Sequence, residues 1–296
     1  MTLIAVVLAL LLERALWHAL HLRESGWVAG YYGWLRTRIA DSGATIQVIG
    51  CIAGLLLLAL PVAIAAVALD RWLPPVSWVI FAALVLVFSL GPRDLDQELE
   101  DYITAETAGD AARAQAAATS IIEHDAAQRR EARAESVEEA AFVQANNRLF
   151  GVLFWFVLLG PTGLGPVAAW LFRASDLLRR ASIADATARP SAASAFERIH
   201  FLLAWLPARL VALSYAIAGS FEEARLEMGR AADAVGRMLE RNDLLLVLAG
   251  RGAIAKIDAR GAAVAAPVEG ALRLIRRSLL IWLTMIALLS LGAWVA

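Results

Sequence analysis

Lysine and cysteine are nearly missing from this chain of 296 residues: Lys256 is its one lysine and Cys51 its one cysteine. A lone cysteine excludes an intrachain disulfide and any zinc site built on paired thiolates. Its setting inside an apolar run gives it the character of a buried structural thiol. The scarcity of lysine among 27 basic residues carries no functional reading. Phosphate loops of the form G-x-x-x-x-G-K-[ST], H-E-x-x-H metal helices, G-x-S-x-G nucleophile elbows and G-x-G-x-x-G dinucleotide turns are all absent. No internal repeat recurs, which counts against a transporter assembled from paired inverted halves. Charge is scarce too, with 19% charged residues and a net charge of -1, so nothing points to nucleic acid as a partner.

What fills the chain instead is apolar: 60% of residues are hydrophobic and the mean hydropathy is +0.63. Lipid is the natural solvent for such an excess. Residues 44–69 carry no charge, and roughly 20 helical residues cross about 30 Å of hydrocarbon. After the linker Asp70 to Pro75, the run Val76 to Leu90 is apolar again, which predicts a helical hairpin. Ser278 to Ala296 is equally clean, and Arg273, Arg276 and Arg277 just before it place that side in the cytoplasm by the positive-inside rule. Met1 to Leu12 is apolar without the basic start or small-residue cleavage site of a signal peptide. If it spans, the arginines between it and the next span, Arg14, Arg23, Arg36 and Arg38, place its start on the outer side.

Two apolar segments read as interrupted. Leu149 to Phe172 holds Gly160, Pro161, Gly163, Gly165 and Pro166; Phe201 to Gly219 holds Pro207 and Arg209. A single crossing by the first would leave Arg173, Arg179, Arg180, Arg189 and Arg198 on the outer side. A re-entrant hairpin avoids that conflict, each half reaching about halfway across; one full span is the alternative. The polar stretches read as helices as well, with Asp94 as the N-cap of Asp94 to Tyr102 and Ser136 with Glu139 as a second capping box in Ala111 to Val143. Leu226, Ala232, Val235 and Leu239 give Ser220 to Arg277 a helical spacing. The expected fold is therefore an all-α polytopic membrane protein with broken or re-entrant helices and helical cytoplasmic regions. Its divisions are membrane helices over 1–91, a cytoplasmic region over 92–148, the interrupted segments over 149–219, a second cytoplasmic region over 220–277, and a last transmembrane helix over 278–296.

Chemistry is expected where charge meets apolar surroundings. His18 and His21 lie one helical turn apart near Glu13: either a metal or proton site, or an ordinary interfacial pair. Glu13 and Arg14 would need protein partners or water if they lie within a span. Arg209 stands among Trp205, Leu206, Pro207, Leu210 and Val211. Its guanidinium suits bidentate recognition of an anion or phosphate, or else it forms a structural ion pair with Glu135, Glu138, Glu139 or Asp176. The candidate ligand-binding set is Glu13, Glu135, Glu139, Asp176 and Arg209, with no metal site.

Glu135-Ser136-Val137, the run Leu149 to Phe156, Gly160, Gly163, Asp176, and Trp205 through Leu210 together resemble the CobD/CbiB family of membrane proteins. Within it, Met1-Thr2-Leu3, Glu13-Arg14, Phe154-Trp155 and Trp205 through Tyr215 are similar to the AmpE branch, and the likeness is strongest from Glu135 to Gly219. The resemblance implies a bacterial inner-membrane protein that modulates β-lactamase induction or the response to cell-wall stress, sensing a small anionic or phosphate-bearing ligand in a polar cytoplasmic-facing pocket. The alternative it implies is the cobalamin-pathway synthase, which joins an aminopropanol phosphate to adenosylcobyric acid using a nucleotide, with magnesium. This chain departs from the synthases. Their Gly-Asp-Pro and His-Pro-Val stretch is missing, Glu139-Ala140 stands where they have Glu-Asn, and their Ser-Pro-Asn-Ala-Gly segment has no counterpart in Gly229 to Gly270. The resemblance thus leans away from catalysis.

Overall fold

A computed structural model describes residues 2–15, 26–39, 43–72, 74–90, 95–122, 129–185, 190–233, 241–254 and 264–295. Every regular element among them is helical. In chain order they are α1 (Thr2–Ala15), α2 (Gly26–Ile39), α3 (Ala44–Trp72), α4 (Pro75–Ser89), α5 (Leu95–Thr107), α6 (Ala111–Ile122), α7 (Arg130–Ala145), α8 (Gly151–Leu158), α9 (Gly165–Ala184), α10 (Pro190–Ala218), α11 (Phe221–Asp233), α12 (Arg241–Ile254) and α13 (Ala266–Val295). A π-helical segment, Asn146–Phe150, joins α7 to α8. Thr45–Trp72, Arg130–Leu158 and Ala195–Ala218 are long and apolar enough to cross a bilayer, and Val76–Ser89 is a shorter apolar helix. Large apolar side chains stand exposed along α3, among them Ile46, Ile49, Leu56, Leu60 and Ile64. A helix apolar around its circumference faces lipid or a core. The chain is an all-α membrane protein.

Its contacts divide it into two units. The first holds Met1–Pro92, Asn147–Trp205 and Ser290–Ala296. Here α9 is the central helix, packed against α2, α3, α4 and α8. Gly50 and Gly54, one turn apart, open a groove on α3 into which α2 lays Ile39 and Leu35. A Cβ on Gly54 would lie 2.5 Å from Leu35 Cδ2, and one on Gly50 would lie 2.6 Å from Ile39 Cγ2. Small residues at such spacing let membrane helices approach closely, so dispersion contacts replace the missing hydrophobic drive. Cys51 is buried beside them with Leu55, Tyr32, Leu178 and Phe196.

The Gly/Pro run between α8 and α9 forms a tight reversal. Gly160–Thr162 is a single 3-10 turn and Gly163 takes φ +77°, a conformation that favours glycine. Pro166 then sits in the first turn of α9, where its missing N–H costs nothing. Gly165 lies so close to α8 that a Cβ would fall 2.6 Å from the Phe156 carbonyl. The apolar halves are not ten-residue helices. The upstream one ends the helical stretch Arg130–Leu158, and the downstream one opens the 20-residue α9.

The expected break at Pro207 is corrected: α10 runs through it without interruption from Pro190 to Ala218. Proline removes the N–H that would bond the carbonyl four residues earlier, that of Leu203. That carbonyl instead accepts the indole N–H of Trp155 at 3.1 Å. Around Pro61 inside α3, the neighbouring Leu58 carbonyl accepts Trp170 Nε1 at 2.9 Å. An indole N–H from another helix supports each proline-containing turn.

The second unit holds Arg93–Asn146 and Leu206–Leu289. In it α5, α6 and α7 pack together, and α11 and α12 form a hairpin whose second helix also packs on α7. The hairpin is tight because Gly252 faces backbone: a Cβ there would lie 2.8 Å from Ala224 Cα and 2.8 Å from the Glu223 carbonyl. Ser136 proves not to be a cap. It lies inside α7 and its hydroxyl donates to the Ala132 carbonyl at 2.9 Å, the back-bond by which serine is accommodated mid-helix. Asp94 lies outside the described residues, as do His18 and His21. The apolar run Leu244 to Ala249 belongs to α12, and Gly250 is helical with it.

Candidate functional site

The most concentrated polar centre of the first unit is built on α9. Arg173, Asp176, Arg179 and Arg180 stand at helical spacing, so their side chains share one face. Asp176 is completely buried, and three guanidiniums converge on it. Arg173 Nη1 is 3.0 Å from Oδ2, Arg179 Nη2 2.8 Å from Oδ1, and Arg180 Nη2 2.5 Å from Oδ2. Burial by itself would raise the Asp176 carboxyl; the surrounding cations, Arg179 foremost, outweigh it and hold the group below the ordinary carboxylate range. Breaking such a buried pair from one side typically costs about 3–5 kcal/mol. Arg173 is buried, whereas Arg179 keeps 21% of its side-chain surface open and Arg180 18%. Asp176 therefore fixes two part-exposed guanidiniums in place.

Further hydrogen bonds reach this centre from other elements. His200 on α10 reaches Ser175 Oγ with Nδ1 at 3.0 Å. Its Nε2 lies 3.3 Å from Asn147 Oδ1 in the π-segment and 3.8 Å from Asp176 Oδ1. Phe172 covers the imidazole, with ring centroids 5.2 Å apart. π-Helical segments recur at functional positions because the extra residue re-aims side chains. Here Asn147 and Arg148 are both buried. At the C-terminal end of α9, Asp185 pairs with Arg36 of α2 at 2.8 Å.

The second unit gathers carboxylates around one cation. Arg251 on α12 reaches Glu138 at 2.9 Å, Glu135 at 3.2 Å and Glu139 at 3.2 Å, all on α7. Burial would lower the Arg251 guanidinium, yet Glu138 and its neighbours hold it above its usual value. Elsewhere in the unit, the buried Glu106 pairs with Arg130 and with the equally buried Arg133, 2.9 Å away. Arg209 Nη1 donates to Asn242 Oδ1 at 3.1 Å.

Of the candidate residues, Glu135 and Glu139 thus share Arg251, Arg209 meets Asn242, and Asp176 belongs to the first unit. Glu13 lies on α1, and its side chain is outside the described residues. Among the described residues no group of three or more His, Cys, Asp or Glu side chains is arranged to hold a metal ion. His200, Ser175, Asn147, Asn242 and Arg251 escape a reading of the sequence, since each meets its partners only through tertiary packing. The arginines flanking Asp176 do carry a signal, their spacing on α9.

Residues 3–243 match the family described as CobD/Cbib protein. The chain belongs to that family. No curated protein and no solved structure matches it closely enough to add a named relative. The CobD/Cbib match runs through the whole of the Asp176 centre and the Arg209–Asn242 contact, and stops before Arg251.

Proposed function

We infer that this is a multi-pass protein of the bacterial inner membrane that recognises a phosphate- or carboxylate-bearing small molecule at the Arg179–Arg180 fork. In this reading it acts as an AmpE-like modulator of β-lactamase induction. The observation that carries it is the convergence of Arg173, Arg179 and Arg180 on the buried Asp176, with two of the guanidiniums still reaching the surface. Planar guanidiniums held in fixed orientation match the oxygens of a phosphate or carboxylate bidentately. Little ordering entropy is then left to lose on binding.

The second reading is a synthase of the cobalamin-pathway type, working with a nucleotide and magnesium, and family membership supports it. Against it stand Glu139-Ala140, where the synthases have Glu-Asn after their Glu-Ser-Val, and the missing Ser-Pro-Asn-Ala-Gly segment. Two strains separate the readings. In the chain's own host, Arg180→Gln at normal protein level is expected to change β-lactamase induction as deletion does; an induction curve equal to wild type would overturn the modulator reading. Growth rescue of a strain lacking the aminopropanol-phosphate joining step would establish the synthase instead.

A further inference from the structure

A chain of contacts sets the depth of the Arg179–Arg180 fork against α3, the long uncharged helix. Trp170 of α9 donates its indole N–H to the Leu58 carbonyl of α3. Further along α9, Asp185 pairs with Arg36, which α2 carries between Leu35, opposite Gly54, and Ile39, opposite Gly50. The helix α9 therefore runs antiparallel to α3, toward Ala44, where the uncharged run begins. Arg179 and Arg180 follow Trp170 by nine and ten residues, about 14–15 Å along the axis, whereas Ala44 lies about 21 Å from Leu58. The fork is thus rooted about 6 Å inside the end of the uncharged run. From there the long arginine stems carry their guanidiniums to the headgroup level.

The large side chains exposed at that level are apolar. Ile183 follows Arg179 and Arg180 by four and three residues, so it shares their face of α9, and it is 55% exposed. At the same end of α3, Ile46, Ile49 and Ile52 are exposed as well. A dissolved anion has to leave bulk water to reach arginines in this setting. A lipid phosphate already lies at their level, with its chains in hydrocarbon, and basic pockets between membrane helices take lipid headgroups for that reason. We propose that the anion held by Arg179 and Arg180 is the phosphate of a membrane lipid, with an acyl chain lying on Ile183. This rests on the anion-binding reading above and names the ligand class of that site: a phosphate-bearing amphiphile that arrives from within the bilayer.

Phosphatidic acid and glycerol phosphate are the probes, because they share a phosphate monoester and differ in their acyl chains. The thermal midpoint of the purified full chain in neutral detergent is followed as each is added, with phosphatidylcholine as the control lipid. A saturable rise with phosphatidic acid is expected at a concentration at least about tenfold below that needed for glycerol phosphate, since each buried chain methylene adds about 0.8 kcal/mol. Phosphatidylcholine is expected to give no comparable rise, and Arg179→Gln/Arg180→Gln to lose the response to phosphatidic acid. Ile183→Asn, at an exposed position, covers the case in which that double variant does not fold. It is expected to weaken phosphatidic acid by about fivefold, through lost chain contact, and to leave glycerol phosphate unchanged. Equal potency of the two phosphates, an equal rise with phosphatidylcholine, or an unchanged response to phosphatidic acid in Ile183→Asn overturns the lipid assignment and leaves the anion site standing. Responses to both phosphates unchanged in Arg179→Gln/Arg180→Gln, or no response to either in the wild type, remove the anion site and the lipid assignment with it.

Discussion

Trp155 donates its indole N–H to the Leu203 carbonyl, 3.1 Å away, and so supplies the hydrogen bond that Pro207 denies to α10. An acceptor buried without a partner costs about 1–3 kcal/mol. Trp155→Phe keeps an aromatic ring, though a smaller one, and loses the donor, so a stability loss of at least about that size is expected. In a Pro207→Ala background the backbone N–H returns and the same substitution should cost under about 1 kcal/mol. A double-mutant cycle by denaturant unfolding in detergent measures the difference; equal costs in both backgrounds would show that the indole supports nothing at this turn.

Glycines divide by what a Cβ would meet. Gly252→Ala places a methyl 2.8 Å from backbone atoms of α11, which cannot step aside as a flexible side chain can. A loss of about 1–3 kcal/mol is expected, as for other overpacked interiors. Gly30→Ala on α2 meets nothing within 4 Å and should be neutral or stabilise by up to about 1 kcal/mol, because alanine is the better helix former. Thermal unfolding of the two variants side by side checks the contrast.

The glutamates around Arg251 should be unequal. Glu138 keeps 8% of its side-chain surface open and Glu135 64%. Glu135→Gln is expected to cost under about 1 kcal/mol, as exposed pairs do. Glu138→Gln removes the best-buried partner of Arg251, which keeps Glu135 and Glu139, and a larger loss of about 1–3 kcal/mol is expected. Indistinguishable unfolding of the two variants would mean that burial does not govern this cluster.

Glu106 predicts a pH dependence. Burial would raise its carboxyl, but Arg133 and Arg130 hold it below the ordinary range. A carboxylate with a lowered folded-state pKa contributes stability that is complete above its unfolded value and is lost as pH falls through the folded one. Stability should therefore decline on acidification below the ordinary carboxylate range. Glu106→Gln should be less stable at neutral pH by about 3–5 kcal/mol and should show a shallower acid decline. Parallel acid profiles for the variant and wild type would contradict the assignment.

Some of this was legible in the residues and some was not. The uncharged run of α3 and the Gly/Pro reversal between α8 and α9 announce themselves, because burial in lipid and a positive φ each demand particular residue types. The continuity of α10 through Pro207 does not, since the compensating donor is Trp155 on another helix. The grouping around Asp176 was half visible: Arg173, Arg179 and Arg180 follow from the 3.6-residue period, whereas His200 and Asn147 reach it from α10 and the π-segment. Glu135 and Glu139 look equally eligible as neighbours of Asp176 in one dimension. In three they surround Arg251, a residue with no sequence signature. The serine of Glu135-Ser136-Val137 reads as a cap by its spacing to Glu139, but the helix had already begun at Arg130.

The central claim is that the Asp176 centre binds an anion. Sulfate titrated into the purified full chain during thermal unfolding tests it most directly, since a ligand that binds the folded state raises the midpoint with its concentration. We predict a steeper rise of the midpoint for wild type than for Arg179→Gln/Arg180→Gln, in which only the general stabilisation by excluded sulfate remains. A wild-type midpoint indifferent to sulfate, or a rise of equal size in the double variant, would contradict the account.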